Sequence, residues 1–294
     1  MLFFASSHIQ RFLPRIKVHA WGGFGSQIFA CLVARRLKNA LPGRKIILVF
    51  HTSGVTRRNL ELPPSFLSNF RYKILRDFAY SAENSGNVET IPNEHSPRER
   101  LIKFLQRIGV LARLNSEKDF SKLFPWIMEV RGHYTEISLS LDEVKWVSSM
   151  LGLKDELEGA QDHFSIHFRL GDLLNLPMKT HISVARVLNA LEENYYEGVI
   201  DVYSDSEPRE VENLLNEYQV GKRFSFHRVP SIEVIEKCVE SRFFVGTNSK
   251  ISLWVSILRI VNGKKDTTQI PVEILRQVEV LLGQIVGIHQ LRKF

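Results

Sequence analysis

The sequence predicts an α/β protein made of two parallel-sheet domains that face each other. Short runs rich in β-branched and aromatic residues, typical of buried strands, alternate with segments of helical periodicity in both halves of the 294 residues. Turns that carry glycine, serine or asparagine follow several of these strands, and ligands of open α/β sheets gather at such strand ends. The length allows two domains of ordinary size.

The front half begins with a βαβ pattern. Residues 15–20 alternate as a strand and lead into a glycine turn. A helix is predicted over 27–41, because its apolar positions recur at helical spacing and a proline and a glycine follow it. The further predictions for this half are a buried strand at 45–50, mainly loop at 51–97, a helix with a basic face at 98–124, a short strand at 130–134 and a helix at 138–158.

The rear half repeats the alternation of strands and helices. Strands are predicted at 164–168, 199–203, 224–227 and 243–245, and helices at 182–194, 207–218, 231–240, 253–261 and 272–286. We therefore expect an N-terminal domain over residues 1–160 and a C-terminal domain over residues 161–294, joined by a linker at 159–163.

Composition limits the classes of partner. The net charge of +7 and the pI near 9.4 favour anionic partners such as nucleotide phosphates or anionic lipid surfaces. No RNA-binding aromatic motif or zinc-finger spacing accompanies this charge, so no nucleic-acid partner is expected. The basic face at 98–124 is typical of a solvated helix, and a patch for acidic lipid or phosphate is the second interpretation.

The cysteines and the apolar runs predict a cellular location. Cys31 and Cys238 lie far apart in apolar contexts, which predicts buried free thiols of a reducing compartment. No stretch reaches 18 apolar residues and no basic segment precedes the first apolar run. We expect a cytoplasmic protein, and peripheral contact with an anionic membrane at its inner face is a further expectation.

The stretch from Phe164 to Asp172 carries the clearest chemical pattern. An apolar run predicts a buried strand, and charge follows only where that strand ends, at Arg169. Gly171 permits a tight turn there. An arginine at the carboxyl end of a strand can bind an anion held between the two halves. The alternative is a surface arginine paired with Asp172.

Two further turns support the first of these interpretations. One follows the first strand and contains three closely spaced glycines, Gly22, Gly23 and Gly25, which are too close together for the dinucleotide fingerprint. The other runs from Gly246 to Ser252 and also precedes a helix. A turn between a strand and a helix brings backbone N–H groups and the positive end of the helix towards a ligand.

Together these blocks resemble the bacterial α1,2-fucosyltransferases of glycosyltransferase family 11, within the wider group of α1,6- and protein O-fucosyltransferases. The family's GGLGNQ-F is similar to GGFGSQIF at 22–29, its HxRRGD to HFRLGD at 167–172, and its SNSSFSWW-A-L to TNSKISLWVSIL at 247–258. The family's strand that ends in a Ser-Asp pair is similar to VYSD at 202–205. The matches span nearly the whole chain.

The resemblance implies a GT-B architecture, in which two Rossmann-like domains enclose a cleft. The N-terminal domain is then the acceptor side and the C-terminal domain binds GDP. It also implies inverting transfer of L-fucose from GDP-fucose, without a metal, to an oligosaccharide or lipid-linked glycan, with an α1,2 linkage to galactose, as in cell-surface polysaccharide biosynthesis. Two alternatives are a catalytically weakened homologue that binds nucleotide or glycan, and a GT-B transferase that uses another sugar nucleotide.

The resemblance assigns roles in the central block. Arg169 matches the arginine that contacts the donor β-phosphate, where a guanidinium stabilises charge on the departing GDP. His167 matches a residue near the nucleotide base, although a neutral core histidine is an equal interpretation. The proton of the acceptor hydroxyl could pass to Asp172, to a carboxylate of the first domain or to the leaving phosphate, and this choice stays open.

In the late block, Ser249 and the following amides would hold phosphate at a helix N-terminus, whereas helix capping by Asn248, Ser249 or Ser252 is the plainer interpretation. Trp254 is expected to pack rather than bind. Glu233, or Glu236 in another register, would accept the two donors of guanine. The remaining donor-binding candidates are Gly22, Gly23, Gly25, Ser26, Asp205 and Lys250.

The sequence departs from the family at three places. The second arginine of HxRRGD is Leu170, which removes a cation, and Lys250 offsets part of that loss. The asparagine of GGLGNQ is Ser26, a shorter hydrogen-bonding residue. One aromatic residue and the first tryptophan of the late block are also missing. These differences concern the donor sugar and the acceptor more than the nucleotide phosphates.

Overall fold

The computed structural model describes residues 14–52, 59–75, 97–114, 116–120, 123–132, 134–153, 161–170, 184–192, 198–216, 223–283 and 292–293. The chain divides into two compact units, unit 1 (Met1–Ile137) and unit 2 (Ser138–Phe294). Each contains one parallel sheet with helices packed on it. The predicted fold class, α/β with two parallel-sheet Rossmann-like domains, is confirmed.

Unit 1 has a five-stranded sheet with the order β3-β2-β1-β5-β4, and every pairing is parallel. The strands are β1 (Ile16–Ala20), β2 (Ile46–His51), β3 (Arg71–Leu75), β4 (Leu111–Arg113) and β5 (Glu129–Arg131). The helices are α1 (Phe24–Ala40), α2 (Pro64–Leu67), α3 (Pro97–Arg107) and α4 (Glu117–Phe120).

The two faces of this sheet differ in polarity. In β1, Ile16, Val18 and Ala20 are buried on one face, and α1 packs on β1 and β2. Because side chains alternate along a strand, Lys17 and His19 lie on the other face. Glu129 pairs in register with Lys17, so it shares that face. One face of unit 1 is therefore an apolar core and the other carries charged and titratable groups.

Unit 2 has a six-stranded parallel sheet with the order β11-β10-β9-β6-β7-β8. The strands are β6 (Gln161–Phe168), β7 (Val199–Ser204), β8 (Arg223–His227), β9 (Ser241–Val245), β10 (Thr268–Ile270) and β11 (Arg292–Lys293). The helices are α5 (Leu141–Met150), α6 (Val184–Glu192), α7 (Pro208–Asn216), α8 (Ser231–Glu240), α9 (Lys250–Val261) and α10 (Val272–Leu282).

The strand order of unit 2 reverses direction once. The chain adds β7 and β8 on one side of β6, then returns to place β9 and β10 on the other side. This is the doubly wound order of dinucleotide-binding folds, in which ligands bind where the order reverses, outside the carboxyl ends of the strands. In unit 2 that point lies between β6 and β9.

The structure places residues 138–153 with unit 2, although the sequence analysis assigned them to the N-terminal domain. The Leu139 amide donates to the Leu281 carbonyl over 2.6 Å, and α5 packs on α9. Ser140 and Glu143 form a capping box that starts α5. This helix is shorter than the predicted 138–158, whose last residues lie outside the described part of the chain.

Several element boundaries differ from the predictions. α1 begins at Phe24 rather than at 27, and α9 begins at Lys250 rather than at 253. The segment predicted as mainly loop contains α2 and β3, and the helix predicted over 98–124 is replaced by α3, β4 and α4. β10 was not predicted. Among the described residues, none of the helices combines the length and the apolar character that crossing a bilayer requires.

Candidate functional site

The carboxyl ends of β6, β7 and β9 meet at one edge of the unit 2 sheet. Hydrogen bonds join the three loops that follow these strands. The Arg169 amide donates to Thr247 Oγ1 over 3.1 Å, and the Thr247 hydroxyl donates to the His167 carbonyl over 2.8 Å. The Leu170 amide donates to Asp205 Oδ1 over 3.0 Å. The central block, the Ser-Asp pair and the late block of the sequence are therefore brought together.

His167 lies beneath this edge as a neutral imidazole. Its side chain is 3% exposed, and its Nδ1 lies 2.8 Å from Ser252 Oγ and 3.2 Å from Ser249 Oγ. Burial, with a smaller effect of the neighbouring Arg169, lowers the pKa of His167 to about 3. The buried, neutral interpretation of His167 thus describes its state in the structure, while contact with a nucleotide base stays a prediction.

Ser249 is the N-cap of α9. Its Oγ accepts the Ser252 amide over 2.9 Å, which is the usual capping geometry. Ser252 Oγ instead accepts the Thr247 amide over 3.0 Å, so Ser252 ties the turn to His167 and does not cap the helix. Asn248 is partly buried just before the cap. The first-turn amides at Lys250 and Ile251 belong to a helix end whose N–H groups point along the axis and out of the helix.

Two cations accompany this helix end. Lys250 is the first residue of α9, and burial followed by repulsion from Arg169 lowers its pKa to about 8. Arg169 follows the last residue of β6, and its charge contributes to the lowered pKa values of both His167 and Lys250. A helix N-terminus beside a lysine and an arginine is suited to bind an anion with two or more charges.

The buried side chain of Arg259 fixes α9 against the neighbouring elements of unit 2. Arg259 is fully buried and donates to the carbonyls of Cys238 over 3.0 Å and Ser241 over 2.7 Å, and to Thr268 Oγ1 over 2.8 Å. Burial lowers the pKa of Arg259 to about 10. These bonds hold α9 against the end of α8 and the start of β10. Trp254 is also fully buried in α9, as the packing interpretation predicted.

The remaining candidates of unit 2 occupy different environments. Leu170 is 1% exposed and belongs to the apolar core with Phe168 and Val187, so the position where the family has its second arginine points inward here. Asp205 is exposed and accepts the Leu170 amide. Four causes raise the pKa of Tyr203, which lies near the end of β7. Burial is the largest of them, and the negative charge of Glu233 is the smallest.

Two further predictions in this region stay open. Glu236, the register alternative to Glu233, is exposed to solvent, whereas Glu233 is partly buried, and the choice between them stays a prediction. Asp172 and Gly171 lie outside the described residues, so the pairing of Asp172 with Arg169 and its role as a proton acceptor stay predictions.

The glycine turn of unit 1 follows β1. Gly22 has φ +94°, and a Cβ at this position would come within 2.8 Å of Ser26 Oγ, so the turn requires glycine. Gly23 is the N-cap of α1. Gly25 and Ser26 are buried in the first turn of the helix rather than in the loop, because α1 starts earlier than predicted. The close approach of these residues to a sugar stays a prediction.

Several residues of these edges were not singled out by the sequence analysis. Gln27 donates to the Asn59 carbonyl over 2.8 Å and accepts the Glu61 amide over 3.1 Å, so it anchors the loop that follows β2 to the start of α1. Thr247 was quoted within the late block without a role. His19 was missed, although it precedes the last residue of β1 just as His167 precedes the last residue of β6.

The candidate site therefore lies at the carboxyl edge of a doubly wound parallel sheet, and this edge carries cations. Among the described residues, no cluster of three or more His, Cys, Asp or Glu side chains is arranged to hold a metal ion. Cys31 and Cys238 are free and buried, as predicted.

No protein-family model matches the sequence, and no curated protein matches it. Two solved structures are similar in fold. A glycosyl transferase of family 9 from Veillonella parvula DSM 2008 has a TM-score of 0.38 and 11% identity, over 87% of this chain and 80% of the other. The heptosyltransferase WaaC of E. coli with ADP has a TM-score of 0.36 and 8% identity, over 87% of this chain and 86% of the other. At these scores the likeness carries no functional conclusion.

Proposed function

We propose that this protein is an inverting glycosyltransferase that binds a nucleotide diphosphate sugar at the carboxyl edge of unit 2. One observation carries the proposal. Hydrogen bonds join the central block to the late block at the point where the strand order reverses, and the bonded residues are 78 to 85 positions apart in the sequence. These are the two blocks in which the resemblance to fucosyltransferases places the donor.

The geometry supports binding of a diphosphate. The N-terminus of α9 supplies backbone N–H groups and partial positive charge, and Arg169 and Lys250 supply two full charges. Lys250 keeps its proton below a pH of about 8, so both side chains are cationic at neutral pH. Each phosphate of the donor would then face a cation or a helix end.

The same groups supply the chemistry of transfer. When the bond between the sugar and the diphosphate breaks, the electron pair leaves with the diphosphate and negative charge builds on its oxygens. A preorganised cation aimed at that charge contributes about 3–4 kcal/mol of transition-state stabilisation in a water-poor site. We assign this role to Arg169, with Lys250 beside it.

We propose GDP-fucose as the donor and a galactose hydroxyl as the acceptor, both on the strength of the resemblance. Glu233 supports a guanine base, because a carboxylate can accept the N1–H and N2–H groups together. Lys250 supplies a cation that the family provides from the second arginine of its central block. Ser26 and the glycine turn belong to the proposed acceptor unit.

A second candidate is a glycosyltransferase of the same kind that uses another sugar nucleotide. The burial of Leu170 favours this candidate. Without the second arginine of the central block, the site offers less positive charge to a donor that is bound by both arginines. A homologue that binds nucleotide without transferring sugar is a further outcome of the same experiment.

The test is a panel of nucleotide sugars in a thermal-shift assay, followed by measurement of GDP release with a galactoside acceptor. A ligand present at 100 times its Kd stabilises the folded state by about 2.7 kcal/mol. We expect GDP-fucose to raise the melting temperature most and to be turned over. Binding without release favours the non-catalytic homologue, and a larger shift with another donor favours the second candidate. No shift with any donor contradicts the proposal.

A further inference from the structure

Unit 1 exposes a cluster of large apolar side chains around α3. Leu101 and Phe104 lie on the helix and are each 56% exposed, and Ile108, which follows the helix, is 40% exposed. Phe124 and Trp126, which precede β5, are 43% and 47% exposed. Soluble proteins usually expose large apolar residues singly, so five of them in two adjoining segments indicate a contact surface. These five side chains are here called the α3 patch.

Direct contacts join the two segments of the α3 patch into one surface. The Trp126 indole donates to the Ile108 carbonyl over 2.8 Å, and the Phe124 and Trp126 rings stack with their centroids 5.0 Å apart. Gly109 follows Ile108 with φ +74°, and a Cβ at this position would overlap the Phe124 ring. The Phe124 ring therefore lies directly on the turn that ends α3.

A buried arginine fixes the segment that bears the two aromatic rings. The Arg44 side chain is 5% exposed and donates to the carbonyls of Pro125 and, over 2.6 Å, Ile127. Ile127 is fully buried, while Phe124 and Trp126 are exposed on the same short stretch of chain. The folded unit thus holds both rings outward. A partner that bound them would order little additional chain, which lowers the entropic cost of binding.

α3 itself divides into three stripes. Ile102 and Leu105 are partly buried, as expected for the side of the helix that packs on β4. The exposed apolar side chains of the patch recur at intervals of three and four residues and form the second stripe. Arg100, Lys103 and Arg107 are exposed and, at 3.6 residues per turn, fall within about 60° of one another around the helix axis. An apolar stripe and a basic stripe therefore run side by side.

The composition of this surface indicates the chemistry of its partner. The side chains of the α3 patch are hydrocarbon apart from the Trp126 N–H group, which is already bonded within the unit. Such a surface is stabilised by contact with another apolar layer. The basic stripe beside it attracts negative charge. An apolar layer next to a layer of negative charge is the arrangement at the headgroup region of an anionic bilayer.

Two other partners fit this surface less well. A second copy of the chain bound through the same patch would form a twofold contact and bring the two basic stripes together, where like charges repel. A single-stranded nucleic acid would supply phosphates and stack its bases on Phe124 and Trp126. It offers no apolar layer to the aliphatic side chains of Leu101 and Ile108.

We propose that the α3 patch binds the surface of a membrane that contains anionic lipid. Leu101, Phe104 and Trp126 enter the boundary between headgroups and acyl chains, where a tryptophan ring is favoured, and the basic stripe contacts the lipid phosphates. The inference depends on unit 1 alone and is independent of the proposed function. It names the side chains behind the peripheral membrane contact that the sequence predicts.

The first test is co-sedimentation of the full chain with phosphatidylcholine vesicles, with and without phosphatidylglycerol. We expect binding that requires phosphatidylglycerol and weakens as salt is added, because salt screens the attraction of the cations. Leu101→Ser combined with Phe104→Ser should weaken binding by about tenfold or more, since two exposed apolar side chains are lost. Val272→Ser combined with Val280→Ser should bind as the wild type does, because both valines are exposed on α10 of unit 2.

The second test separates the position of the cations from the net charge. Arg100→Gln, Lys103→Gln and Arg107→Gln together should weaken binding by about 10²-fold, because each cation near an anionic surface contributes about fivefold. The control replaces three exposed cations of unit 2 with glutamine: Lys145, Arg209 and Arg276. Each triple variant removes three positive charges from the net +7 and leaves +4, so a difference between them comes from position.

The third test locates the contact by tryptophan fluorescence. Trp126 is the most exposed of the four tryptophans, so entry of its ring into the lipid boundary should shift the emission to shorter wavelength. Trp126→Phe keeps an aromatic ring and should retain most of the binding while losing this shift. Trp146→Phe, which replaces a partly buried ring of α5, should keep the shift.

Several results would overturn the inference. They are no binding of the wild type to vesicles with phosphatidylglycerol, equal binding by the wild type and the Leu101 and Phe104 double variant, and equal binding by the two triple variants. Self-association in sedimentation without vesicle binding would assign the patch to a second copy, and binding of an oligonucleotide without vesicle binding would assign it to nucleic acid. If the double variant melts at a lower temperature than the wild type, the triple variants and the fluorescence shift decide the matter. None of these measurements depends on glycosyl transfer, so this inference and the proposed function fail separately.

Discussion

His19 and His167 occupy the same place in the two units, yet their partners differ. Each precedes the last residue of its unit's first strand, and each is buried, with 6% and 3% of its side chain exposed. His167 bonds to the hydroxyls that cap and support α9, whereas His19 bonds to a second imidazole and faces a carboxylate. One fold position thus supports the N-terminus of a helix in unit 2 and a group of titratable side chains in unit 1.

The electrostatics of the two edges follow the same division. Arg169 and Lys250 lie at the unit 2 edge beside the positive end of α9, which favours a multiply charged anion. In unit 1, Lys17 and Arg131 are both paired with Glu129. Their charge is therefore partly neutralised.

The largest effect should come from Arg169→Ala. We expect transfer to fall by about 10²–10³-fold, equivalent to about 3–4 kcal/mol, because the variant lacks the cation that we propose to stabilise the departing diphosphate. The bond from the Arg169 amide to Thr247 should persist, because alanine retains the backbone amide, and the melting temperature of the variant is measured beside its turnover. Arg186→Ala, which removes an exposed arginine paired with Glu273, is the control.

Unchanged turnover by Arg169→Ala would contradict the proposed role of Arg169 at the unit 2 edge. The same variant should also weaken binding of GDP, which calorimetry measures independently of turnover. Loss of turnover with intact GDP affinity would move the role of Arg169 from donor binding to the acceptor side.

The second prediction compares the two histidines by their effect on stability. Between pH 6.5 and pH 4.5 an unfolded chain protonates both imidazoles, while the folded pKa values of about 4 and about 3 keep them neutral. Unfolding is therefore favoured as the pH falls. Each histidine should contribute a loss of about 2–3 kcal/mol over this interval. Chemical denaturation at several pH values, with spectroscopic signals from each unit, measures it.

Replacing one histidine at a time sharpens the comparison. His167→Gln should flatten the pH dependence of unit 2, and His19→Gln that of unit 1, each without affecting the other unit. An unchanged slope in both variants would show that the acid loss comes from other groups, such as the ion-paired carboxylates.

Thr247→Val should have a smaller effect. The Thr247 hydroxyl bridges the Arg169 amide and the His167 carbonyl, and the residue is 2% exposed. Its removal leaves two backbone groups without their partner, which we expect to lower the free energy of unfolding by about 1–3 kcal/mol. Thr247→Ser keeps the hydroxyl and should retain most of the stability. Equal losses in both variants would point to the lost methyl group instead.

The smallest effect concerns Lys250. Its pKa of about 8 predicts that affinity for GDP decreases as the pH rises through that value, because the ammonium loses its proton and its attraction for phosphate. We expect a change of about tenfold, or about 1.4 kcal/mol. Lys250→Arg should bind GDP with little dependence on pH over this range, since guanidinium stays protonated. Calorimetric titration across pH 7 to 9 measures both proteins.

Much of the unit 2 edge could be predicted because it depends on local pattern. Apolar runs marked β6, β7 and β9, and the carboxyl ends of parallel strands meet at one edge of a sheet. The alternation of Ile166, Phe168 and Leu170 also indicates that position 170 points into the core, although the sequence analysis treated Leu170 as the loss of a cation beside the phosphates. The order of the strands depends on pairing between distant segments and was not predicted.

Other differences have local physical causes. Ser249 and Ser252 are equally good helix caps by residue type. The Ser252 hydroxyl bonds to the Thr247 amide and to His167, so Ser249 caps α9 and the helix starts at Lys250. β3 was missed because most of its residues are exposed, so its strand conformation depends on pairing with β2 rather than on burial. The contact of His19 with His51 joins residues 32 positions apart, and no local pattern marks it.

The most direct test of the central claim is hydrogen–deuterium exchange of the full chain with and without GDP. We predict slower exchange in peptides that cover residues 167–170 and 246–252, where the helix end and Arg169 would hold the diphosphate. Peptides that cover β1 and the glycine turn of unit 1 should exchange at the same rate in both samples. Protection confined to other segments, or no protection at saturating GDP, would contradict a diphosphate site at the carboxyl edge of unit 2.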